Sequence, residues 1–94
     1  MNKPQCGPFW REVIVVNELG LHARSAGLIA KSARQAAGRV WLQKEADCID
    51  AKQIIDILTL AAAKGDILRV GIENDADRET LAHIAALFAS GFGE

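Results

Sequence analysis

The run Leu68-Arg69-Val70-Gly71-Ile72-Glu73 alternates apolar residues with polar residues or glycine, with a period of two. Successive side chains of a strand point to opposite faces, so this run is a half-buried strand, apolar inward and polar outward. A sheet that contains it needs cover on one face, and the remainder of the 94 residues has to supply that cover.

Reading outward from that strand, the period switches several times. Residues 1–9, with Pro4, Gly7 and Pro8, read as a flexible leader, and residues 10–94 as a single domain. Trp10 to Val16 is β-branched and aromatic and reads as a strand. Its apolar residues fall on both faces, which calls for an inner position or partial cover on the second face. Asn17-Glu18-Leu19-Gly20 is a loop. From Ala23 to about Ala37 the pattern is helical, with Ala26, Ile29, Ala30, Ala33 and Ala37 on one stripe and Gly38 as a C′ residue. Arg39 to Gln43 is a strand, Lys44 to Asp47 a turn, and Cys48-Ile49 a short return strand. Trp41 points away from Val40 and Leu42, with Phe9 or Trp10 as its expected shield.

Asp50 is the expected cap of the next helix, a role Gln53 fills poorly. That helix runs from about Gln53 to Ala62. Ile57 and Leu60 suffice for a core stripe, while Ile54, Ile55 and Leu58 form an apolar surplus. Either the helix is more buried than usual, or the surplus is a docking patch. Lys64-Gly65 ends it. Asn74, Asp75 or Asp77 caps a last helix with a Leu81, Ile84, Leu87 and Phe88 stripe, ended by Gly91. The order is β-α-β-β-α-β-α. It fits an α+β fold, a two-layer sandwich with a four-stranded sheet covered on one face by three helices.

Net charge is −1, which leaves no overall electrostatic footprint for nucleic acid. The charge is uneven: residues 1–50 hold seven Lys and Arg against five Asp and Glu, residues 51–94 four against seven. Two cysteines, Cys6 and Cys48, have no metal-ligand spacing. They could pair, but two thiols in a chain without a signal segment point to a reducing compartment. No apolar run reaches membrane-spanning length, so neither membrane insertion nor secretion is expected and the cytoplasm is the default.

One stretch carries chemistry. Gly20-Leu21-His22-Ala23-Arg24 puts a histidine where a helical pattern begins. The first turn leaves N–H groups unpartnered, and the helix dipole adds about half a positive charge there. Both favour a bound phosphate and disfavour imidazolium. Arg24 supplies a forked cation nearby. The alternative is a solvated His–Arg pair with no role. Behind it, Arg24, Gly27, Lys31 and Arg34 share a helix face that has no acidic residue, which is either an ordinary charged surface or a docking face.

With these residues the sequence resembles HPr, the histidine-containing phosphocarrier family of the bacterial phosphotransferase system. The Gly20 to Arg24 stretch stands at the family's phosphohistidine motif, residues 50–60 at its second signature, and Lys64-Gly65 at the expected distance. The ending around Ala86-Leu87-Phe88-Ala89-Ser90-Gly91-Phe92, and Leu19, look more like the nitrogen-related branch (NPr). The resemblance implies an open-faced β-sandwich with antiparallel strand order 1-4-2-3, and a carrier rather than an enzyme, with no metal and no organic cofactor. It implies that His22 Nδ1 accepts phosphate from phosphorylated enzyme I, whose donor is phosphoenolpyruvate, and passes it to an enzyme IIA-type protein. The implied phosphate-binding residues are Ala23, Arg24 and Ser25. The implied partner-binding residues are Gly27, Lys31, Arg34, Ile54, Ile55 and Leu58, on a domain that is most simply a monomer. The NPr-like features leave a second role open, a regulatory module that controls target proteins instead of supporting sugar uptake. Ser25 stands where the family usually has proline, which is expected to loosen the first turn. Gln53 stands where many relatives have a serine phosphorylated by a kinase, so that regulation is expected to be absent.

Overall fold

The structure, a computed structural model, describes residues 6–94. Residues 1–5, most of the expected leader, lie outside the described residues. Four strands, β1 (Phe9–Ile14), β2 (Val40–Lys44), β3 (Asp47–Asp50) and β4 (Ile67–Ile72), form one antiparallel sheet in the order β1-β4-β2-β3. Helices α1 (Ala23–Ala33), α2 (Ile54–Thr59) and α3 (Arg78–Ala89) accompany it. Val13, Val40, Leu42, Leu68, Val70 and Ile72 bury the sheet's inner face against Ala26, Ile29, Ala30, Ile57, Leu81, Ile84 and Phe88. Small residues on α1 let the helix lie close to the sheet. This is the open-faced α+β sandwich that the alternation of Leu68, Val70 and Ile72 requires. Among the described residues, no helix is long and apolar enough to cross a membrane.

Several expectations need correction. The strand β1 is an edge strand, and its outer side has partial cover: the Arg69 guanidinium lies 4.1 Å from the Trp10 ring centroid, while Ile14 stays half exposed. Helix α1 stops at Ala33 instead of Ala37, and Ala36, not Ala37, is buried. Past Ala33 the amides of Gln35 and Ala36 turn to carbonyls three residues back. Those of Ala37 and Gly38 are taken by the Asp77 carboxylate at 2.9 Å each. The Gly38 and Ala37 amides hold the Asp77 carboxyl below the usual carboxylate range. Helix α2 is also shorter than expected. Gln53 is its N-cap without a side-chain bond, and the Asp50 carboxylate instead accepts from the Lys52 amide at 2.8 Å, in the turn before the helix. Lys44 Nζ then closes the far end by donating to the Leu60 carbonyl at 3.1 Å.

The N-terminal segment departs furthest from expectation. Phe9 belongs to β1, and Cys6 is buried rather than part of a loose leader. Cys6 and Cys48 are joined in a disulfide, Cα–Cα 6.1 Å, not present as two thiols. A sequence separation of 42 hides the reason. Cys48 pairs with Gln43, while its neighbour Ile49 pairs with the core residue Leu42. Alternation therefore sends Cys48 to the outer face, which the chain crosses before β1 begins. Gly7 from that crossing packs against the Trp41 ring.

Candidate functional site

His22 is the residue just before α1, in extended conformation (φ −132°, ψ −175°), which makes it the helix N-cap. Its ring Nδ1 accepts a long bond from the Arg24 amide at 3.4 Å. The loop that delivers it is tightly specified. Gly20 has φ +65°, and a Cβ there would sit 2.5 Å from the Ala62 carbonyl, so only glycine fits. The next amide, Leu21 N–H, donates to that same carbonyl at 2.9 Å.

Ser25 is fully buried. Its hydroxyl accepts from the His22 amide at 2.9 Å and donates to the His22 carbonyl at 3.1 Å. The expectation of a looser turn fails here: the serine locks the backbone of His22 from both sides, which proline could not do. The hydroxyl is thereby committed to the loop.

A carboxylate stands on the other side of the ring. Glu94 Oε2 lies 2.5 Å from His22 Nε2 and 3.4 Å from Arg24 Nη1. Asn17 Nδ2 donates to Glu94 Oε1 at 3.0 Å and to the Gly20 carbonyl at 2.7 Å. The Asn17 amide, then the His22 ring and Arg24, hold the Glu94 carboxyl below its ordinary range, against burial acting the other way. An ionised carboxylate is acceptor-only, so the proton of this contact sits on Nε2, while Nδ1 faces the Arg24 amide. Arg24 Nη1 also donates to the Phe92 carbonyl at 2.8 Å. Sequence reasoning missed Asn17, Phe92 and Glu94. The available signal was Gly91-Phe92-Gly93, where all three residues adopt positive φ and the chain folds back over the helix mouth.

The His22 side chain is 31% exposed. Ala23 and Arg24 follow it with exposed positions. On the same side of the molecule, Lys31 and Arg34 are exposed and Gly27 is half-buried, with open space where a Cβ would be. Arg34 Nε donates to the Lys52 carbonyl at 2.9 Å, which joins this face to the entry of α2. On α2, Ile55 is 75% and Leu58 38% exposed, Ile54 is half-buried against the core, and Ile57 and Leu60 fill it. The apolar surplus is therefore real for Ile55 and Leu58 and partial for Ile54.

An open-faced sandwich with a part-exposed histidine at a helix mouth, an arginine beside it and a neighbouring face that exposes Ile55 and Leu58 is the arrangement of a small histidine phosphocarrier, a carrier rather than an enzyme. Comparison with known proteins names the family. Residues 10–90 match the model for the PTS HPr component phosphorylation site. The phosphocarrier protein HPr of Neisseria meningitidis serogroup A is 30% identical over 84 residues, which cover 89% of this chain and 94% of that protein. The Pseudomonas aeruginosa HPr is 32% identical over 84 residues, 88% and 93% of the two chains. Among solved structures, HPr-C-His from Thermoanaerobacter tengcongensis superposes with a TM-score of 0.85 at 29% identity, over 92% of this chain and 97% of its own. The chain belongs to the HPr family of phosphotransferase-system phosphocarriers.

Proposed function

We propose that His22 Nδ1 accepts a phosphoryl group from phosphorylated enzyme I, itself charged by phosphoenolpyruvate, and passes it to a histidine of an enzyme IIA-type protein. In each step one P–N bond breaks as another forms, and the ring released regains its lone pair. Such transfer is largely positioning and charge stabilisation. Glu94 holds the proton on Nε2 and so presents Nδ1 as the nucleophile. The amides of Ala23, Arg24 and Ser25 and the Arg24 guanidinium meet the phosphoryl oxygens. Gly27, Lys31, Arg34, Ile54, Ile55 and Leu58 receive each partner in turn, on one face, from a monomer working in the cytoplasm. The observation that carries the reading is the ring of His22, part exposed at the N-terminus of α1, with its Nε2 against the Glu94 carboxylate and Arg24 beside it.

The experiment is incubation with phosphoenolpyruvate and enzyme I. Acid-labile, alkali-stable phosphate that disappears in His22→Ala and moves on to an added enzyme IIA supports the proposal. Absence of any such phosphate on the folded wild type overturns it, and leaves the regulatory protein-binding role.

A further inference from the structure

The outer face of the sheet carries a feature that phosphoryl transfer does not use. Strand register aligns Trp10, Gly71, Trp41 and Asp50 in one row across all four strands. Gly71 has no side chain, so the row contains a slot between two tryptophans. The Cys6 carbonyl fills it: a Cβ on Gly71 would lie 1.8 Å from that oxygen. The next residue, Gly7, has φ +88°, and its Cβ would lie 2.6 Å from the Trp41 ring, so the strap needs glycine at that point too. Residues 6–8 thus cross the sheet from the edge strand β1 to the opposite edge strand β3, where Cys48 takes the Cys6 sulfur.

The bond lies outside the core, which closes on the other face without it. Cys48 is an exposed residue on an edge strand, open to an attacking thiolate, whereas Cys6 is buried. Exposed disulfides are the exchangeable ones, and intracellular disulfides are mostly transient.

We propose that Cys6 and Cys48 form a thiol–disulfide exchange site, a clasp that seats residues 6–8 in the Gly71 slot over Trp41 when oxidised and releases them when a dithiol reduces it. Reduction breaks the S–S bond. The dithiol gives up two electrons and two protons, leaving thiols on Cys6 and Cys48 and a disulfide on the reductant. The partner is thus a dithiol reductant of the thioredoxin chemical class, and oxidised glutathione serves for the reverse direction. In the reducing cytoplasm proposed above the clasp rests open, and it closes on oxidation; its chemistry does not depend on the transfer role of His22.

The test uses the full chain in a Trp10→Phe background, so that emission reports Trp41. Expected on dithiothreitol treatment are two newly alkylatable thiols, a red shift of Trp41 emission, and an unchanged far-UV spectrum and sheet amide pattern. Gly71→Ala, which fills the slot while keeping both cysteines, is expected to favour the reduced form by about tenfold at a fixed dithiol-to-disulfide ratio. Global unfolding on reduction overturns the clasp in favour of a structural staple. So do unchanged Trp41 emission, an exchange equilibrium indifferent to Gly71→Ala, or failure of oxidised glutathione to form the internal bond.

Discussion

Truncating Phe92 tests whether the turn over the helix mouth is an integral part of the fold. Phe92 is 2% exposed, and its ring meets Phe88 edge-on, with centroids 5.0 Å apart. Burial of such a ring with the cavity left by its removal is worth about 3–5 kcal/mol. The turn lies beside the chain end and can partly collapse into the gap, which argues for the lower figure, about 3 kcal/mol. Unfolding entropy of about 2.1 cal/mol/K per residue over 94 residues amounts to roughly 200 cal/mol/K. The expected fall in Tm for Phe92→Ala is then about 15 °C, read by calorimetry at neutral pH. A backbone control separates packing from strain. Phe92 sits at φ +58°, where glycine is favoured over alanine by about 1 kcal/mol, so Phe92→Gly should melt a few degrees above Phe92→Ala. A fall below about 4 °C, equivalent to under about 1 kcal/mol, would refute the reasoning and detach Glu94 from the folded site.

The Asp77 carboxyl is held down by two amide bonds. A depressed folded-state pKa contributes stability above the unfolded value, about pH 4, which is lost as pH falls through the folded value. Urea midpoints should therefore drop below about pH 4 in the wild type and drop less steeply in Asp77→Asn. Glu94→Gln should loosen the hold on the Nε2–H tautomer and slow phosphoryl acceptance several-fold in a rapid-quench assay with phosphorylated enzyme I, with Tm nearly unchanged. Equal rates would leave Glu94 without a part in presenting Nδ1. Gly27→Ala meets nothing within 4 Å and should raise stability by about 0.5–1 kcal/mol in urea titration, since helix-interior glycine is unfavourable. An added bulky side chain there, as in Gly27→Trp, should depress transfer without lowering Tm.

The element order was legible because period alone distinguishes Leu68-Val70-Ile72 from Ala26-Ile29-Ala30-Ala33. Helix ends were less so, since they depend on groups far along the chain: Asp77 ends the region after α1, and Lys44 closes α2. His22, Arg24 and the exposed Ile55 and Leu58 were readable from local spacing and motif. Glu94 and Asn17 were not, because no local pattern says that the chain returns over the loop that carries His22. Cys6 and Cys48 likewise needed the register of β2 with β3, and the empty position at Gly71, to show why residues so far apart meet.

The proposed function gives His22 two tasks, helix N-cap and phosphoryl acceptor. As N-cap its Nδ1 takes the Arg24 amide, yet at 3.4 Å that bond is long and easily given up. In the proposed transfer Nδ1 bonds to phosphorus and can no longer accept, and the first-turn amides are then offered to the phosphoryl oxygens instead. The helix then exchanges one weak cap for a charged one. Meanwhile Ser25 keeps the His22 backbone fixed through bonds that do not involve the ring. The proposed change in the ring's chemical state therefore leaves these two backbone bonds untouched. That separation suits a carrier, whose loop has to keep its place while the ring is loaded and unloaded.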